Sequence, residues 1–184
     1  RTVGKRYTNT SKSSYTIMKN ILKTFDRTIN AIGKKLIDGF RGELEAQNSI
    51  ATGKLSDSMF YDLDETADSI ELVIQTKAKY VDIVDKGMSS GTFPNLTAIK
   101  NWMDAKGISY SDENEKERIA FNIARRIQIE GLPTQGGKRF SSTKEKTNFI
   151  GNVVNRRSKK NDSSIHSSIG KDIDNIFKQL PKQI

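Results

Sequence analysis

A short lysine-containing stretch is the part of this sequence that comes closest to a chemical motif. Residues 52–56 read TGKLS, which partly matches the end of a phosphate-binding loop, where backbone amides, a lysine and a hydroxyl side chain hold phosphate oxygens. Asn48 stands where such a loop begins with glycine, and Leu55 takes the place of the serine or threonine after the lysine. We therefore expect a structural turn at Gly53 and no nucleotide site.

The ionisable residues that could act as metal ligands or acid–base groups are poorly placed for either task. The chain has no cysteine, and its single histidine, His166, lies in a serine-rich stretch where we expect it to be solvated. The closely spaced carboxylates are Asp62, Asp64, Glu65 and Asp68 in one stretch, Asp82 with Asp85, and Glu115 with Glu117. We expect the first group in a hairpin turn and both pairs on solvated helix faces. The sequence predicts no catalytic residue, no metal ligand and no cofactor, and hence no enzyme.

The net charge of +9 is unevenly distributed along the 184 residues. Residues 1–16 contain four basic and no acidic side chains, whereas residues 17–134 contain 16 basic and 18 acidic ones. Residues 135–160 then contain eight basic side chains and one acidic side chain. A folded DNA-reading domain would line one face of its helices with cations. Here we expect basic arms on a nearly neutral body.

The composition predicts one folded domain with polar extensions. Hydrophobic residues make up 34% of the chain, and the mean hydropathy is −0.63. No apolar run reaches the roughly 20 residues that span a bilayer, and the first residues lack the apolar segment of a signal peptide. We expect neither secretion nor membrane anchoring, and the absence of cysteine suits a reducing cytosol.

Two periodic patterns open the predicted body. Apolar residues that recur every three or four positions predict a long helix over 17–44, and they are Ile17, Ile21, Phe25, Ile29, Ile32, Leu36, Phe40 and Leu44. Strict alternation predicts an antiparallel hairpin with one buried face, formed by Met59, Tyr61 and Leu63 and then by Ile70, Leu72 and Ile74.

The next segment predicts two helices joined by a loop. Tyr80 begins a short helix that Gly87 ends in the left-handed conformation. A loop follows at 88–93, and Pro94 leads into a helix whose inward residues include Trp102. We expect Tyr80 and Trp102 to be buried where this second helix crosses the sheet.

Capping residues define the ends of the next two helices. Asn95 can cap the helix that ends at Gly107, and Asp112 has capping-box spacing to Glu115 at the start of a helix that ends at Gly131.

Beyond this last helix, residues 135–161 show no sustained period and are predicted to be a basic extended loop. An amphipathic C-terminal helix is predicted over 162–184. The fold class is therefore α+β, with a basic arm at 1–16 and a folded domain at 17–134.

Several short motifs follow one another in a set order over residues 17–140. They are a TGxLxxS turn (Thr52, Gly53, Leu55, Ser58), a YVxxVxxG segment (Tyr80, Val81, Val84, Gly87), a Pro94-led helix with Trp102 and Lys106-Gly107, an IAxxI helix (Ile123, Ala124, Ile127), and Glu130-Gly131-Leu132-Pro133. In this order they resemble the tail-completion, or head-tail joining, proteins of tailed bacteriophages. Arg139-Phe140 stands where that family has an Arg-Pro-Phe-like stretch, but the proline is missing and about 25 polar residues precede the last helix.

The resemblance implies a structural virion protein. Members of that family assemble as rings of identical subunits at the phage neck, around the channel through which DNA leaves the head. For this chain it implies a homo-oligomeric ring of about six or twelve copies, a portal-side connector or adaptor protein as one partner, and a tail tube or tail terminator protein as the other. It also implies location in the virion neck after assembly in the bacterial host cytoplasm. A basic nucleic-acid-binding module is the alternative.

Two segments are then expected to contact partners. The first is the loop of Met88, Ser89, Ser90, Gly91, Thr92 and Phe93. The second is the basic loop, through Arg139, Phe140, Phe149, Ile150, Val153, Val154, Arg156, Arg157, Lys159 and Lys160. Two partners are possible for the basic loop, the exiting DNA or acidic protein surfaces. We favour docking on protein, and we expect residues 149–154 to add a strand to a neighbour's sheet edge.

Overall fold

The computed structural model describes residues 22–66, 69–138 and 143–179, which form an α+β fold with a small antiparallel sheet, as predicted. In chain order the elements are α1 (Lys23–Ala46), α2 (Lys54–Asp57), β1 (Met59–Glu65), β2 (Ile70–Thr76), α3 (Val81–Asp85), α4 (Leu96–Ala105), α5 (Glu113–Glu130), α6 (Gln135–Lys138) and α7 (Phe149–Gln179). The predicted basic arm at 1–16, and Ile17 and Ile21 of the predicted first helix, lie outside the described residues.

The chain divides into two compact units. The hairpin unit draws on the ranges Arg1–Ile37, Tyr61–Ile74 and Arg156–Ile184, and the helical unit draws on Asp38–Phe60 and Gln75–Asn155. Both α1 and α7 therefore contribute residues to each unit.

In the hairpin unit, the sheet packs against α1 at a glycine. A Cβ added to Gly33 would lie only 2.7 Å from the ring of Tyr61, and the Tyr61 hydroxyl donates to Asn30 Oδ1 at 3.2 Å. Ile29 and Ile32 are buried on the predicted apolar stripe. Because only a residue without a side chain lets the ring approach the helix backbone this closely, Gly33 positions the hairpin.

A buried carboxylate on α7 caps the start of α1. Asp172 is 2% exposed and accepts hydrogen bonds from the backbone N–H groups of Thr24 (3.1 Å) and Phe25 (2.8 Å). Burial by itself would raise the pKa of Asp172, but these hydrogen bonds and the nearby Arg27 outweigh it and hold that pKa below its ordinary value. Asp172 thereby satisfies donors that the first turn of a helix leaves without intrahelical partners.

We expect Asp172→Asn to lower the free energy of unfolding by about 1–2 kcal/mol. The amide has one accepting oxygen instead of two, and its NH2 group would face a backbone N–H. Urea denaturation of the variant measures the loss, with Asp174→Asn, an exposed position on the same helix, as the control that changes stability by less than about 0.5 kcal/mol. Equal effects at the two positions would contradict the capping role.

In the helical unit, α7 begins at Phe149, which is 13 residues earlier than predicted. The prediction of extended backbone is therefore wrong for 149–161, as is the prediction that 149–154 adds a strand to a neighbour. Phe149 and Val153 are 1% and 2% exposed, and the Phe149 ring meets Phe40 edge-on at 5.7 Å. These two residues lie one turn apart, and burying them stabilises a helix in spite of the cations that follow.

Asp85 holds the start of α7. It is buried, so the prediction that it is solvated is wrong. Asp85 is 4% exposed; its carbonyl accepts hydrogen bonds from the N–H groups of Thr147 and Asn148, and its Oδ1 accepts from Ile150 N–H at 3.1 Å. The Thr147 hydroxyl donates to the Val84 carbonyl at 2.8 Å. The sequence could not reveal this role because the partners of Asp85 follow it only after three further helices.

The prediction that Trp102 and Tyr80 are core residues is wrong, since they are 43% and 40% exposed. The buried contact between α4 and α5 is formed by Ile99, Met103, Ala120, Ala124 and Ile127. Ile99 and Met103 lie one turn apart and face the small alanines of α5. Trp102 is turned away from this line, on the solvent side of α4, because the helix can present only one face to a close neighbour.

The predicted helix caps are confirmed. Asn95 Oδ1 accepts the Ala98 N–H at 3.1 Å, and Asp112 Oδ1 accepts the Glu115 N–H at 2.7 Å. The Ser111 N–H donates a hydrogen bond to Glu115 Oε2 at 2.8 Å, whereas in a capping box the donor would be the N–H of Asp112, one residue later. Local sequence therefore sets where α4 and α5 begin.

Candidate interaction surface

The loop at 88–93 is hydrogen-bonded to the end of α5. Met88 and Leu132 form an antiparallel bridge, in which the Met88 N–H donates to the Leu132 carbonyl at 3.1 Å and the Leu132 N–H donates back at 2.8 Å. The Gly91 N–H donates to the Gln128 carbonyl at 2.7 Å. The loop therefore has backbone partners at its start and near its tip.

Two glycines allow this close approach. Gly87 has φ of 91° and Gly131 has φ of 79°, both in the region that favours glycine. A Cβ on Gly87 would overlap the Leu132 carbonyl oxygen, and one on Gly131 would lie 2.5 Å from the Met88 carbonyl oxygen. The predicted role of both glycines in ending helices is confirmed, and their contacts add a packing role.

The loop and the outer face of α5 together present large apolar side chains to solvent. The rings of Phe93 and Phe121 lie 5.8 Å apart, with 39% and 49% of the two residues exposed, and Ile129 on the same helix is 64% exposed. Beneath them the α5 backbone is supported by the buried contact with α4. We call the contacting pair of Phe93 and Phe121 the loop–helix surface; exposed aromatic side chains of this kind are enriched at protein–protein contacts.

The structure separates the other residues that were predicted to contact partners. Ser89, Ser90, Gly91 and Thr92 are exposed beside Phe93, and Met88 is half-buried. Phe149 and Val153 are core residues, which corrects their predicted interface role, while Ile150 and Val154 remain 37% and 42% exposed. Arg156, Lys159 and Lys160 are exposed on α7, and Arg157 is half-buried. Arg139 and Phe140 lie outside the described residues.

Lys106 has a structural role that sequence reasoning missed. Its Nζ donates to the carbonyl oxygens of Asn48 and Ile50, both at 2.9 Å, and to Asn48 Oδ1 at 3.1 Å. The ammonium group therefore uses its three donors on the turn that follows α1. The only signal in the sequence is its place in the Lys106-Gly107 pair of the family-like motifs.

Asp104 and Lys116 form a close ion pair in the helical unit. Lys116 Nζ lies 2.9 Å from Asp104 Oδ2, and the Tyr110 hydroxyl donates to Asp104 Oδ1 at 2.8 Å. The hydrogen bond from Lys116, together with that from Tyr110, holds the pKa of Asp104 below its ordinary value, and the same contact raises the pKa of Lys116. Both groups are stabilised in their charged forms, which suits an ion pair that joins α4 to α5 and not an acid–base catalyst.

We expect this ion pair to stabilise the fold at neutral pH and to be lost in acid. An unfolded aspartate binds its proton near pH 3.9, so the contribution is present above about pH 4 and disappears as the pH falls through the lower pKa of folded Asp104. In urea unfolding, Asp104→Asn should be less stable than the wild type at about pH 7, and the difference should shrink towards about pH 2. A difference that does not change with pH would contradict this assignment.

The remaining candidates for chemistry are structural or solvated. The stretch at 52–56 places Gly53 at φ of 76° before α2 and buries Leu55 and Ser56, so it forms a turn as predicted. His166 is exposed. Among the described residues, no group of three or more His, Cys, Asp or Glu could hold a metal ion, and no helix is long and apolar enough to cross a bilayer.

No protein-family model, curated protein or solved structure matches this chain. The resemblance to tail-completion proteins therefore rests on the ordered sequence motifs alone, and it stays a prediction.

Proposed function

We propose that this chain is a structural subunit of a bacteriophage neck, which forms a ring between the head-side connector and the tail around the DNA exit channel. The observation that carries the proposal is the loop–helix surface. Exposed apolar side chains on hydrogen-bonded backbone favour association, because little conformational entropy remains to be lost on binding. The ordered motifs support the choice of neck proteins among the possible assemblies.

A ring of identical subunits needs two different patches on each subunit, because a heterologous contact joins one patch to the other on the next copy. The loop–helix surface would supply one of them. The proposed role involves no catalysis, and it is compatible with the structural roles of Asp104, Lys116 and Lys106 described above.

Nucleic-acid binding is the second candidate, and the exposed cations Arg156, Lys159 and Lys160 favour it. Binding to the phosphate backbone should weaken linearly in the logarithm of salt concentration, as counterions are released. Assembly through an apolar surface should depend far less on salt. A salt titration of the binding of a short DNA duplex therefore tests this second function.

The proposal is tested by replacing an exposed aromatic residue with a charge. We expect wild-type protein to form rings in electron micrographs, alone or with connector or tail proteins, and Phe121→Asp to weaken that assembly at least about tenfold while the melting temperature stays close to wild type. Phe177→Asp is the matched control, since Phe177 is 67% exposed on α7. It should assemble normally.

Two results would contradict the proposal. One is a wild-type protein that remains monomeric with every connector and tail component offered in pull-down experiments. The other is an assembly that Phe121→Asp and Phe177→Asp leave equally intact, since the loop–helix surface would then have no part in it.

A further inference from the structure

The outer face of the hairpin is acidic. Asp62, Asp64 and Glu71 are exposed on it, and residues 59–76 include five acidic side chains but no lysine or arginine. The opposite face of the sheet, with Tyr61, is the one that packs on α1. The acidic face is therefore directed away from the core.

The strand register brings two of these carboxylates face to face. The Thr66 N–H donates to the Ser69 carbonyl at 2.9 Å, and the two strands are of equal length, which places Asp64 opposite Glu71. Like charges directly opposite each other destabilise an antiparallel pair. Among the described residues, no group of three or more carboxylates is placed to hold a metal ion.

A basic stretch of similar charge lies elsewhere in the same unit. Residues 156–160 read RRSKK, and they form part of α7, where Lys159 and Lys160 are exposed. Five residues of a helix rise about 6 Å, close to the roughly 7 Å between alternate residues of a strand such as Asp62 and Asp64. The two charged surfaces are therefore opposite in sign and similar in length.

Four of these charged side chains have no ion-pair partner in the part of the chain that the structure describes. In the ranges that the structure describes, none of Asp64, Glu71, Lys159 and Lys160 forms an ion pair. An acidic face with opposed carboxylates and an exposed cationic helix thus occur on the same chain, each suited to a partner that carries the other.

We propose that the basic stretch at 156–160 of one copy docks on the acidic sheet face, Asp62, Asp64 and Glu71, of the next copy. This inference rests on the proposed ring and names a heterologous contact within it. The lysines relieve the repulsion between Asp64 and Glu71, and pairing of opposite charges sets the register between neighbours. DNA is the alternative partner of the lysines, and the duplex-binding measurement below distinguishes it from a second copy.

Charge reversal of the full-length chain tests this contact. The first variant is Asp64→Lys with Glu71→Lys, and the second is Lys159→Glu with Lys160→Glu. We expect each variant alone to self-associate at least about tenfold more weakly than wild type in sedimentation velocity at low ionic strength. An equimolar mixture should recover association, because each contact between unlike copies then again pairs opposite charges. A single chain with all four substitutions should recover it too.

The same experiment includes a control variant and distinguishes the alternative outcomes. Lys34→Glu with Lys35→Glu reverses two exposed lysines of α1 and should associate like wild type. Wild-type assembly that neither reversed variant weakens would overturn this inference and leave the proposed ring intact, whereas a wild-type chain that never assembles with itself or with virion components would overturn both. If the lysine reversal abolished only the binding of a short DNA duplex, measured by fluorescence anisotropy, the basic stretch would be a DNA contact and the inference would be wrong.

Discussion

The Phe149→Ala variant is expected to lose about 3–5 kcal/mol of unfolding free energy. Phe149 is 1% exposed and packs edge-on against Phe40, so truncation removes a whole buried ring and leaves a cavity that the helices cannot close completely. Domains are commonly stable by only about 5–15 kcal/mol. The variant should therefore unfold at clearly lower urea concentration, with loss of the helical circular dichroism signal.

The matched control is a phenylalanine on the same helix that is mostly in solvent. Phe177 is 67% exposed, and Phe177→Ala should change the free energy of unfolding by less than about 0.5 kcal/mol. If Phe149→Ala were as stable as this control, residue 149 would not be a core position. The original expectation that Phe149 contacts a partner would then regain support.

The Gly87→Ala variant is expected to lose about 2–5 kcal/mol. Part of the loss comes from the backbone, because alanine is strained at a φ of 91°. The rest comes from contact, because the new Cβ overlaps the Leu132 carbonyl oxygen that accepts the Met88 N–H. Relieving the overlap requires the bridge between Met88 and Leu132 to open, so the loop should also become susceptible to proteolysis.

Gly91→Ala separates the two contributions. Gly91 has a φ of 97°, similar to that of Gly87, but a Cβ at this position meets nothing within 4 Å. We expect a loss of about 1 kcal/mol from backbone strain alone, measured by the same urea titration. Equal losses at Gly87 and Gly91 would show that the contact with Leu132 costs nothing, and that the loop is not held by close packing.

If the loop–helix surface serves assembly, Gly87→Ala should reduce association as well as stability. The substitution does not touch Phe93 or Phe121, but it releases the backbone on which Phe93 is presented. Assembly measured well below the melting temperature therefore distinguishes a loosened surface from an unfolded protein. Gly91→Ala, which keeps the bridge between Met88 and Leu132, should affect assembly much less.

Local patterns predicted the elements of this fold well. The apolar stripe of α1, the alternation in the hairpin and the caps at Asn95 and Asp112 all depend on interactions between residues close together in the chain, which a sequence displays directly. Glycines with positive φ at helix ends, such as Gly87 and Gly131, are local in the same sense. The α+β class follows from these elements taken together.

The errors concern residues whose surroundings are set by distant parts of the chain. Trp102 is a large apolar residue of a type that is usually buried. However, Ile99 and Met103 occupy the one face that α4 can turn towards α5. Asp85 is a charged residue of a type that usually lies at the surface, yet it is buried because it holds the start of α7. Neither fact can be read from neighbouring residues, because each depends on which helix lies alongside.

The same division applies to the candidate interaction surface. By itself the sequence determined that the chain has no cysteine and two strongly basic segments, because these are matters of composition and spacing. It also determined the position of the glycine-flanked loop at 88–93. Only the tertiary structure decided that Phe149 and Val153 are core while Phe93 and Phe121 meet in solvent, because burial depends on contacts between elements that are far apart in the chain.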